Sequence, residues 1–191
     1  MVIILKIGYQ GIEGSNSEIA TLKFVEKLNL NNVEMVPLLD STTVSEYLRK
    51  NKIDYGVMAY KNSITGYVAE TKKELDNNDF NYIAKINLPI RHFLYKNKSA
   101  AKNDINLIVS HEQALKQTHN SIRLLFQNIK TKEIENTALG AKLLSENKYG
   151  NNTAVICSKK AGELYNLECI ANDIQDNNDN ITSFLLLSKK L

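Results

Sequence analysis

Near its end the chain reads Asn172-Asp-Ile-Gln-Asp-Asn-Asn-Asp-Asn-Ile-Thr-Ser-Phe184 and continues directly into the apolar run Leu185-Leu-Leu187. A connection between two elements usually needs only about two to six residues, so this polar segment is long enough to wrap around something. Thr182 lies where the turn becomes a strand, and the sheet is expected to fix the position of its hydroxyl. We therefore expect the other polar clusters of the sequence to converge on this segment and to form a pocket for a small anion.

The composition is that of a soluble globular protein with one domain or two small lobes. The chain has 191 residues, of which 43% are hydrophobic and 24% are charged, and this length can bury a core. Its formal charge of +3 is spread along the chain, which disfavours nucleic acid as a partner because phosphate binding needs Lys and Arg gathered on one face. The N-terminal apolar run Val2–Leu5 is too short for a signal peptide, and no run approaches membrane-spanning length. We expect a cytoplasmic protein with no membrane partner.

The cysteines and histidines give little sign of chemistry. Cys157 and Cys169 are more typical of reduced thiols in the core of a cytosolic protein than of nucleophiles, although a disulfide stays open. His92, His111 and His119 do not have the spacing of metal ligands. We expect His92 to pack near a crossing between lobes and His111 to cap or flank the helix that begins near it.

The glycines after the first apolar run do not form a dinucleotide-binding motif. Gly8, Gly11 and Gly14 lack the G-x-G-x-x-G spacing because residue 10 is Gln10. The sequence therefore predicts neither a metal nor a cofactor.

Short apolar strands alternate with amphipathic helices along the chain, which predicts α/β sheets with right-handed crossovers. Strands are expected at 2–9, 33–39, 54–60, 107–109, 131–134, 153–156 and 169–174, and helices after residue 17, at 44–50, after residue 66, and at 110–126, 137–146 and 159–165. Ser17 is a natural N-cap for the first helix. The run from Tyr82 to Tyr95 contains Pro89 and is expected to cross between two lobes in extended form.

Small polar residues stand at several junctions between a strand and the next helix. These junctions are Gly14-Ser15, Asn62-Ser63, Ser110 and Asn136-Thr137. In open α/β sheets ligands bind outside the carboxyl ends of the strands, and the N–H groups and dipole of a helix N-terminus favour an anion there. Any one junction is better explained as an ordinary N-cap, but all of them together with Thr182 favour a binding pocket.

The order of the polar motifs resembles one family, the prephenate dehydratases, over essentially the whole chain. The matching motifs are Gly11-Ile-Glu-Gly14-Ser-Asn-Ser17-Glu18, Asp54-Tyr-Gly-Val57 followed by Asn62-Ser63 and Gly66, Leu88-Pro-Ile90 with His92, Ser110-His-Glu-Gln-Ala-Leu115, Thr137-Ala138, and Asn172-Asp-Ile-Gln-Asp-Asn177 with Asn180-Ile-Thr-Ser-Phe184. Each motif alone is weak, but their order and spacing make the resemblance strong.

The resemblance implies a two-lobed fold like a type II periplasmic binding protein, with the site in the interlobe cleft. We expect one lobe at 1–80 plus 175–191 and the other at 81–174. The implied reaction is loss of carbon dioxide and water from the dicarboxylate prephenate to give phenylpyruvate in L-phenylalanine biosynthesis, with no cofactor. A proton must reach the departing hydroxyl because hydroxide is a poor leaving group.

The resemblance also implies roles for particular residues. Thr182 matches the key threonine of the family and is the candidate for delivering the proton. The candidate substrate-binding residues are Ser15, Lys61, Asn62, Ser63, Ser110, Gln113, Asn136, Thr137, Ser183 and Phe184.

The chain departs from the family motifs at a few positions. Lys61 replaces a glutamate before Asn-Ser, Ser183 replaces an arginine after the threonine, and Asn136 replaces a serine. If the first two positions face each other across the cleft, the pair has been exchanged as a unit, and Lys61 could hold a substrate carboxylate less specifically than an arginine fork. The alternative is that Lys61 points to solvent and the site is degraded.

Three functional hypotheses follow. The chain is a prephenate dehydratase, a prephenate decarboxylase on the same scaffold, or a non-catalytic binder of small anions. Asn62-Ser63 and Thr182 favour the first, whereas Lys61 and Ser183 favour the third. Because the sequence stops at Leu191, we expect neither an ACT regulatory domain nor a chorismate mutase domain within it. A homodimer is the expected assembly.

Overall fold

A computed structural model describes residues 4–190 of the chain. In chain order its elements are β1 (Leu5–Tyr9), α1 (Asn16–Lys27), β2 (Val33–Pro37), α2 (Ser41–Arg49), β3 (Tyr55–Asn62), β4 (Gly66–Tyr67), α3 (Ala69–Asn77), β5 (Phe80–Pro89), β6 (Phe93–Lys96), β7 (Leu107–Ser110), α4 (Glu112–Gln117), α5 (His119–Leu125), β8 (Lys130–Glu133), α6 (Thr137–Ser145), β9 (Thr153–Cys157), α7 (Lys159–Leu164), β10 (Glu168–Ala171) and β11 (Ile181–Lys189). The predicted alternation of strands and helices is confirmed. Residues 2 and 3 of the first predicted strand lie outside the described residues.

The elements form two compact units, each with its own sheet. Unit 1 runs to Ile90 and resumes at Asp179, whereas unit 2 is the continuous segment Arg91–Asn178. The first boundary therefore lies ten residues later than the predicted lobe end at residue 80. The reason is that β5 pairs with β11 along its whole length, so the extended run that begins at Tyr82 contains strands of both sheets. Whether a site lies between the units stays a prediction.

The sheet of unit 1 is built around β11, the last strand in the chain. Its order is β2-β1-β3-β11-β5, with β4 paired to β3, and β11 runs antiparallel to both of its neighbours. Successive side chains of a strand point to opposite faces. Phe184 and Leu186 accordingly pack under α1 with Phe24, while Leu185 and Leu187 pack on the other face under α2. The apolar run that follows Thr182 is thus the centre of two cores.

The sheet of unit 2 brings several helix starts to one edge. Its order is β10-β6-β9-β7-β8, in which β7 is parallel to β8 and β9, and β6 and β10 are antiparallel. Helices α4, α6 and α7 follow the parallel strands, so they all begin at the carboxyl edge of the sheet. A core cluster of this unit includes Leu94, Ile108 and Ile156.

Two local predictions were wrong. Ser15, not Ser17, caps α1, because Ser15 is extended (φ −71°, ψ 161°) and its Oγ accepts the N–H of Glu18; Ser17 is a buried residue within the helix. The single helix expected over 110–126 is divided into α4 and α5 at Thr118, whose backbone leaves the helical region (φ −123°, ψ 8°). Its hydroxyl bonds back to the carbonyl oxygen of Ala114 at 2.7 Å.

A β-bulge in β3 decides which residues share a face near the end of the strand. Ser183 lies opposite Lys61 and Phe184 lies opposite Ala59, so Tyr60 is an extra residue on β3. Tyr60 and Lys61 both contact the ring of Tyr67, at 5.2 Å between ring centroids and at 4.7 Å from the lysine Nζ. Both side chains therefore lie on one face, and the next residue of β3, Asn62, lies on the opposite face.

Within residues 4–190, no helix combines the length and the apolar character needed to cross a membrane.

Candidate functional site

The hydroxyl of Thr182 is held by the side chain of Asn62, which lies directly opposite it in the β3–β11 ladder. The Oδ1 atom of Asn62 accepts the backbone N–H groups of Ile64 (2.9 Å) and Thr65 (3.1 Å). Only the amide oxygen can accept these bonds, so they fix the orientation of the amide. Its NH2 group therefore donates to Thr182 Oγ1 at 2.9 Å and to Asn180 Oδ1 at 2.7 Å.

This orientation leaves the proton of Thr182 available for donation. Asn62 is the one side-chain partner of the hydroxyl among residues 4–190, and it occupies a lone pair rather than the proton. Both side chains are 8% exposed, so they are largely desolvated but still reach the surface. An O–H group whose oxygen already accepts a hydrogen bond is a stronger donor, and low local polarity adds to the effect. The start of β11 thus presents a polarised hydroxyl donor.

Ser63 clamps the turn that precedes Thr182. Its backbone N–H donates to the carbonyl oxygen of Ile181 at 2.8 Å, and its Oγ donates to the carbonyl oxygen of Asp179 at 2.6 Å. The same Oγ accepts the N–H of Ile181 at 2.9 Å. The predicted residues Asn62, Ser63 and Thr182 are therefore brought together, and Ser63 serves to fix the backbone of the polar turn. The expectation that Asn62-Ser63 leads into a helix N-terminus was wrong, because a turn and β4 intervene.

Lys61 and Ser183 are partners in the same sheet, on the face away from the Thr182 hydroxyl. They lie directly opposite each other in the ladder, so the two family positions form a cross-strand pair. Neighbouring residues of a strand point to opposite faces, which separates Ser183 from Thr182. Lys61 lies over the ring of Tyr67, and Ser183 Oγ donates to Asn87 Oδ1 at 2.7 Å. These partners give both side chains a role within the sheet.

Phe184 and Ser15 have local structural partners. Phe184 is 2% exposed and packs in the core between the sheet and α1, so its ring does not face a solvent-accessible site. Ser15 caps α1, and Glu18 in the first turn accepts the N–H of Gly14 at 2.7 Å. This arrangement resembles a capping box, except that Glu18 accepts the N–H of Gly14 rather than that of the N-cap residue itself. The alternative weighed for the junctions, an ordinary N-cap, describes Ser15.

In unit 2, the predicted residues lie at the carboxyl edge of the sheet but do not all present side chains there. Ser110 is fully buried, and its Oγ donates to the carbonyl oxygen of Ile156 at 2.7 Å. The prediction for His111 is confirmed, because its Nδ1 accepts the N–H of Gln113 and caps α4. The backbone of Gln113 thus belongs to the first turn of the helix.

The other junction of unit 2 is also an N-cap. Asn136 Oδ1 accepts the N–H of Leu139 at 2.7 Å, and Thr137 is the first residue of α6. Ser158 caps α7 in the same way through Ala161. The positive ends of these helix dipoles meet at one edge, which is an environment that favours an anion.

The polar stretch Ile174–Asp176 is tied to unit 2 by several hydrogen bonds. The N–H of Ile174 donates to the carbonyl oxygen of His92 at 2.9 Å, and the N–H of His92 donates to Gln175 Oε1 at 3.0 Å. His92 Nε2 also bonds Gln117 Oε1 at 2.8 Å. Burial lowers the pKa of His92, which the bond to Gln117 only partly offsets, so the ring is neutral. The stretch is therefore held against the backbone of His92, while the buried imidazole bonds α4 through Gln117.

Asp176 closes this arrangement by capping α5. Its carboxylate accepts the N–H groups of Asn120 (3.0 Å) and Ser121 (2.9 Å) and the hydroxyl of Ser121 (2.9 Å). Desolvation raises the pKa of Asp176, but these hydrogen bonds outweigh it and lower the pKa below its ordinary value. The break between α4 and α5 is thus stabilised by a residue of the polar segment near the end of the chain.

Neither cysteine is in a setting that activates a thiol. Both are free. Cys157 is buried and burial raises its pKa, as predicted for a core residue, whereas Cys169 is exposed, contrary to that prediction. The pKa of Cys169 is also raised by desolvation. Among residues 4–190, no group of three His, Cys, Asp or Glu side chains could hold a metal ion.

Two residues of the unit 1 site were not assigned from the sequence. Asn180 accepts the second hydrogen bond of Asn62, and Gln10 Oε1 accepts the N–H of Ala59 at 3.1 Å, beside the bulge. Asn180 belongs to a motif that was recognised, so it could have been found. Gln10 had only a weak signal, a polar residue between a buried strand and Gly11.

Comparisons with known proteins identify what the chain is similar to. Arogenate dehydratase/prephenate dehydratase 2 of Arabidopsis thaliana is 30% identical over 186 residues, which cover 97% of this chain and 47% of that protein. The chain thus spans about half the length of the curated relatives that it matches. A prephenate dehydratase from Arthrobacter aurescens, solved in complex with L-Phe, superposes with a TM-score of 0.87 at 24% identity and covers 98% of this chain and 61% of that one.

The fold extends to a more distant class. A periplasmic substrate-binding protein of an ABC transporter from Coxiella burnetii gives a TM-score of 0.54 at 11% identity, covering 98% of this chain and 85% of that one. This likeness confirms the predicted similarity to periplasmic binding proteins at the level of the fold. The model of the prephenate dehydratase family matches residues 7–191. From the order of its motifs, its fold and this match, the chain belongs to the prephenate dehydratase family.

Proposed function

We propose that the chain catalyses the dehydratase reaction of its family, the conversion of prephenate to phenylpyruvate with loss of carbon dioxide and water. The carbon–carbon bond to the ring carboxylate breaks, its electron pair enters the ring, and the hydroxyl on the opposite ring carbon leaves as water. Aromatisation supplies the driving force, so no oxidant and no cofactor are needed. The difficult step is the departure of the hydroxyl, which needs a proton donor.

The observation that carries the proposal is the orientation of the Asn62 amide. Because Ile64 and Thr65 occupy its oxygen, its NH2 group faces Thr182 Oγ1. Thr182 can then donate its proton to the departing oxygen, while Asn62 stabilises the negative charge that develops on Oγ1. A threonine hydroxyl is a weak acid, and a fixed donor behind it is what makes the donation favourable.

The substrate carboxylates need positive partners. Unit 2, taken by itself, offers oriented dipoles of the kind that favour anions, at helix N-termini capped by His111, Asn136 and Ser158. Arogenate differs from prephenate in carrying an ammonium group in place of the ketone of the side chain, and it keeps both carboxylates and the hydroxyl. The relatives from Arabidopsis thaliana and Petunia hybrida carry the name arogenate dehydratase, so both compounds belong in the test.

The test mixes purified protein with prephenate and, separately, with arogenate at neutral pH. We expect phenylpyruvate from prephenate at a rate well above the spontaneous one. Thr182→Val should lower kcat by roughly 10²- to 10⁴-fold, the range for loss of a general acid, whereas Thr182→Ser should retain much of it. Carbon dioxide release with a non-aromatic product would support a decarboxylase instead. Thermal stabilisation by prephenate without any turnover would support a non-catalytic binder.

A matched control is available on the neighbouring residue. Ser183→Val removes a hydroxyl from the opposite face of the same strand, where it bonds Asn87. We expect its kcat to stay close to that of the parent protein. An equal loss in Ser183→Val and Thr182→Val would contradict the assignment of the donor.

A further inference from the structure

The first strand of unit 1 is extended by a side chain after its main chain has left the sheet. β1 ends at Tyr9, which lies opposite Val57, and the N–H of Gln10 still donates to the carbonyl oxygen of Val57 at 3.0 Å. The chain then turns away at Gly11, which has a positive φ of 108°. In a continued parallel ladder, the backbone carbonyl of Gln10 would accept the N–H of Ala59.

The carboxamide of Gln10 takes over this missing bond. Its Oε1 accepts the N–H of Ala59 at 3.1 Å. Immediately afterwards, β4 occupies the same side of β3, beginning with the bond from the N–H of Val68 to the carbonyl oxygen of Tyr60 at 2.9 Å. Gln10 thus fills the interval between the end of β1 and the start of β4.

This interval coincides with the bulge. Ala59 is the last regularly paired residue of β3, Tyr60 is the extra residue, and regular pairing resumes at Lys61. The bulge determines that Asn62, rather than Lys61, shares a face with Thr182. A bulge can shift along a strand unless neighbouring hydrogen bonds hold it, and a shift by one residue moves a side chain to the opposite face.

We propose that Gln10 is a positioning residue for the proton-donating pair. By anchoring Ala59, its carboxamide fixes the position of the bulge along β3 and keeps the Asn62 amide against the Thr182 hydroxyl. Gln10 acts through the backbone of β3 and has no chemical role of its own. This inference rests on the proposed function for its effect on turnover, but its structural part is independent of it.

The test compares two substitutions of similar size. Gln10→Met keeps the length of the side chain and removes the acceptor, whereas Gln10→Glu keeps an oxygen that can accept the N–H of Ala59. We expect Gln10→Met to lower kcat roughly ten- to hundredfold, the cost of a small misplacement of catalytic groups, with little change in KM. Gln10→Glu should recover most of the loss. Gln127→Met, at an exposed glutamine of unit 2, is the matched control and should behave like the parent protein.

Amide hydrogen exchange separates this inference from the proposed function. The amides from Ala59 to Asn62 should lose protection in Gln10→Met and keep it in Gln10→Glu, whether or not the protein turns over prephenate. A parent protein that is inactive on both substrates refutes the dehydratase proposal but leaves this measurement decisive. Unchanged protection in Gln10→Met overturns the positioning role. A rise in KM that matches the whole loss of kcat/KM, with protection intact, assigns Gln10 to substrate contact and also overturns it.

Discussion

Asn62 is a connector with every hydrogen-bonding position of its amide in use. The amide oxygen holds the turn after β3, and the NH2 group joins Asn180 and Thr182. An isosteric change to aspartate can therefore separate the hydrogen bonds that the NH2 group of Asn62 donates from those that its oxygen accepts. The new carboxylate would keep an oxygen for Ile64, but it would present its second oxygen to two side-chain atoms that now accept hydrogen bonds from the amide.

We predict that Asn62→Asp loses most of its turnover at neutral pH and regains part of it in acid. The ionised carboxylate cannot donate to Thr182, but the protonated carboxyl group can. The destabilisation should be about 1–3 kcal/mol, because buried acceptors are left without donors. The measurement is the pH profile of kcat together with urea unfolding. Asn151→Asp, at an exposed residue, is the control, and a profile in Asn62→Asp parallel to that of the parent protein would count against the connector role.

His92 makes the stability of unit 2 depend on pH. Burial lowers its pKa below the ordinary value of 6.5, so the unfolded state binds a proton more readily than the folded state. Stability contributed by the neutral ring is complete above that value and is lost as the pH falls below it. We predict that the free energy of unfolding, measured by urea titration, falls between about pH 7.5 and about pH 5.5, and that His92→Gln reduces the slope. Gln127→Ala, at an exposed position of the same unit, should keep the slope of the parent protein.

At the scale of single residues, motif order located the key pair, but strand geometry decided the remaining roles. Asn62 and Thr182 belong to two different motifs and are paired in the ladder. Phe184 and Ser183 follow Thr182 in the same motif, yet one is core and the other faces away. A motif carries no information on the face of a strand unless the register is known.

Among the elements, β3 shows how one extra residue reassigns a face. Without the bulge at Tyr60, simple alternation along β3 would place Lys61 where Asn62 lies. No sequence signal announces the bulge, because neither glycine nor proline occurs in β3 after Gly56. Lys61 and Ser183 are consequently a cross-strand pair on the face away from Thr182, and the replacement of the two family residues concerns sheet stability first.

We predict that the double change Lys61→Glu with Ser183→Arg alters stability and leaves turnover nearly unchanged. An opposite-charge pair across neighbouring strands contributes about 0.2–1 kcal/mol, which a double-mutant cycle on urea unfolding can measure. The single variants provide the two other corners of the cycle. A tenfold or larger rise in kcat for the double variant would show that this face communicates with the chemistry and would refute the prediction.

The helices α4 and α5 also show that a local sequence pattern does not determine where an element ends. A helix was predicted from residue 110 because polar residues follow a buried strand there, and α4 begins two residues later, at Glu112. The break at Thr118 was missed, because the partner that stabilises it, Asp176, is distant in sequence. Local patterns predict the presence of an element, whereas contacts across the sequence decide where it stops.

At the scale of the whole molecule, the two units differ in how the chain builds them. All strands of the second sheet come from the continuous segment Arg91–Asn178. The first sheet needs β11, which lies between β3 and β5 and supplies Phe184 and Leu186 to the core. The α/β class followed from the alternation of elements alone. The insertion of β11 between two strands far earlier in the chain did not, because pairing partners cannot be read from a single strand.

We predict that residues 91–178 fold cooperatively when expressed alone, while residues 1–90 do not. The first segment keeps its sheet and core, whereas the second lacks the central strand and the apolar side chains on both of its faces. Circular dichroism with urea titration provides the measurement. Adding a peptide of residues 179–191 to residues 1–90 should restore a cooperative transition, and a cooperative transition in residues 1–90 without the peptide would contradict the prediction.

The central place of β11 has a consequence for the order in which the protein matures on the ribosome. Synthesis proceeds from the N-terminus, and domains generally fold as they emerge. Unit 2 is complete once Asn178 has left the exit tunnel, but β3 and β5 still expose their unpaired edges to other nascent chains until Ile181–Lys189 follows. The earliest part of the sequence is therefore among the last to become native, and the strand that completes it also seats Thr182 against Asn62.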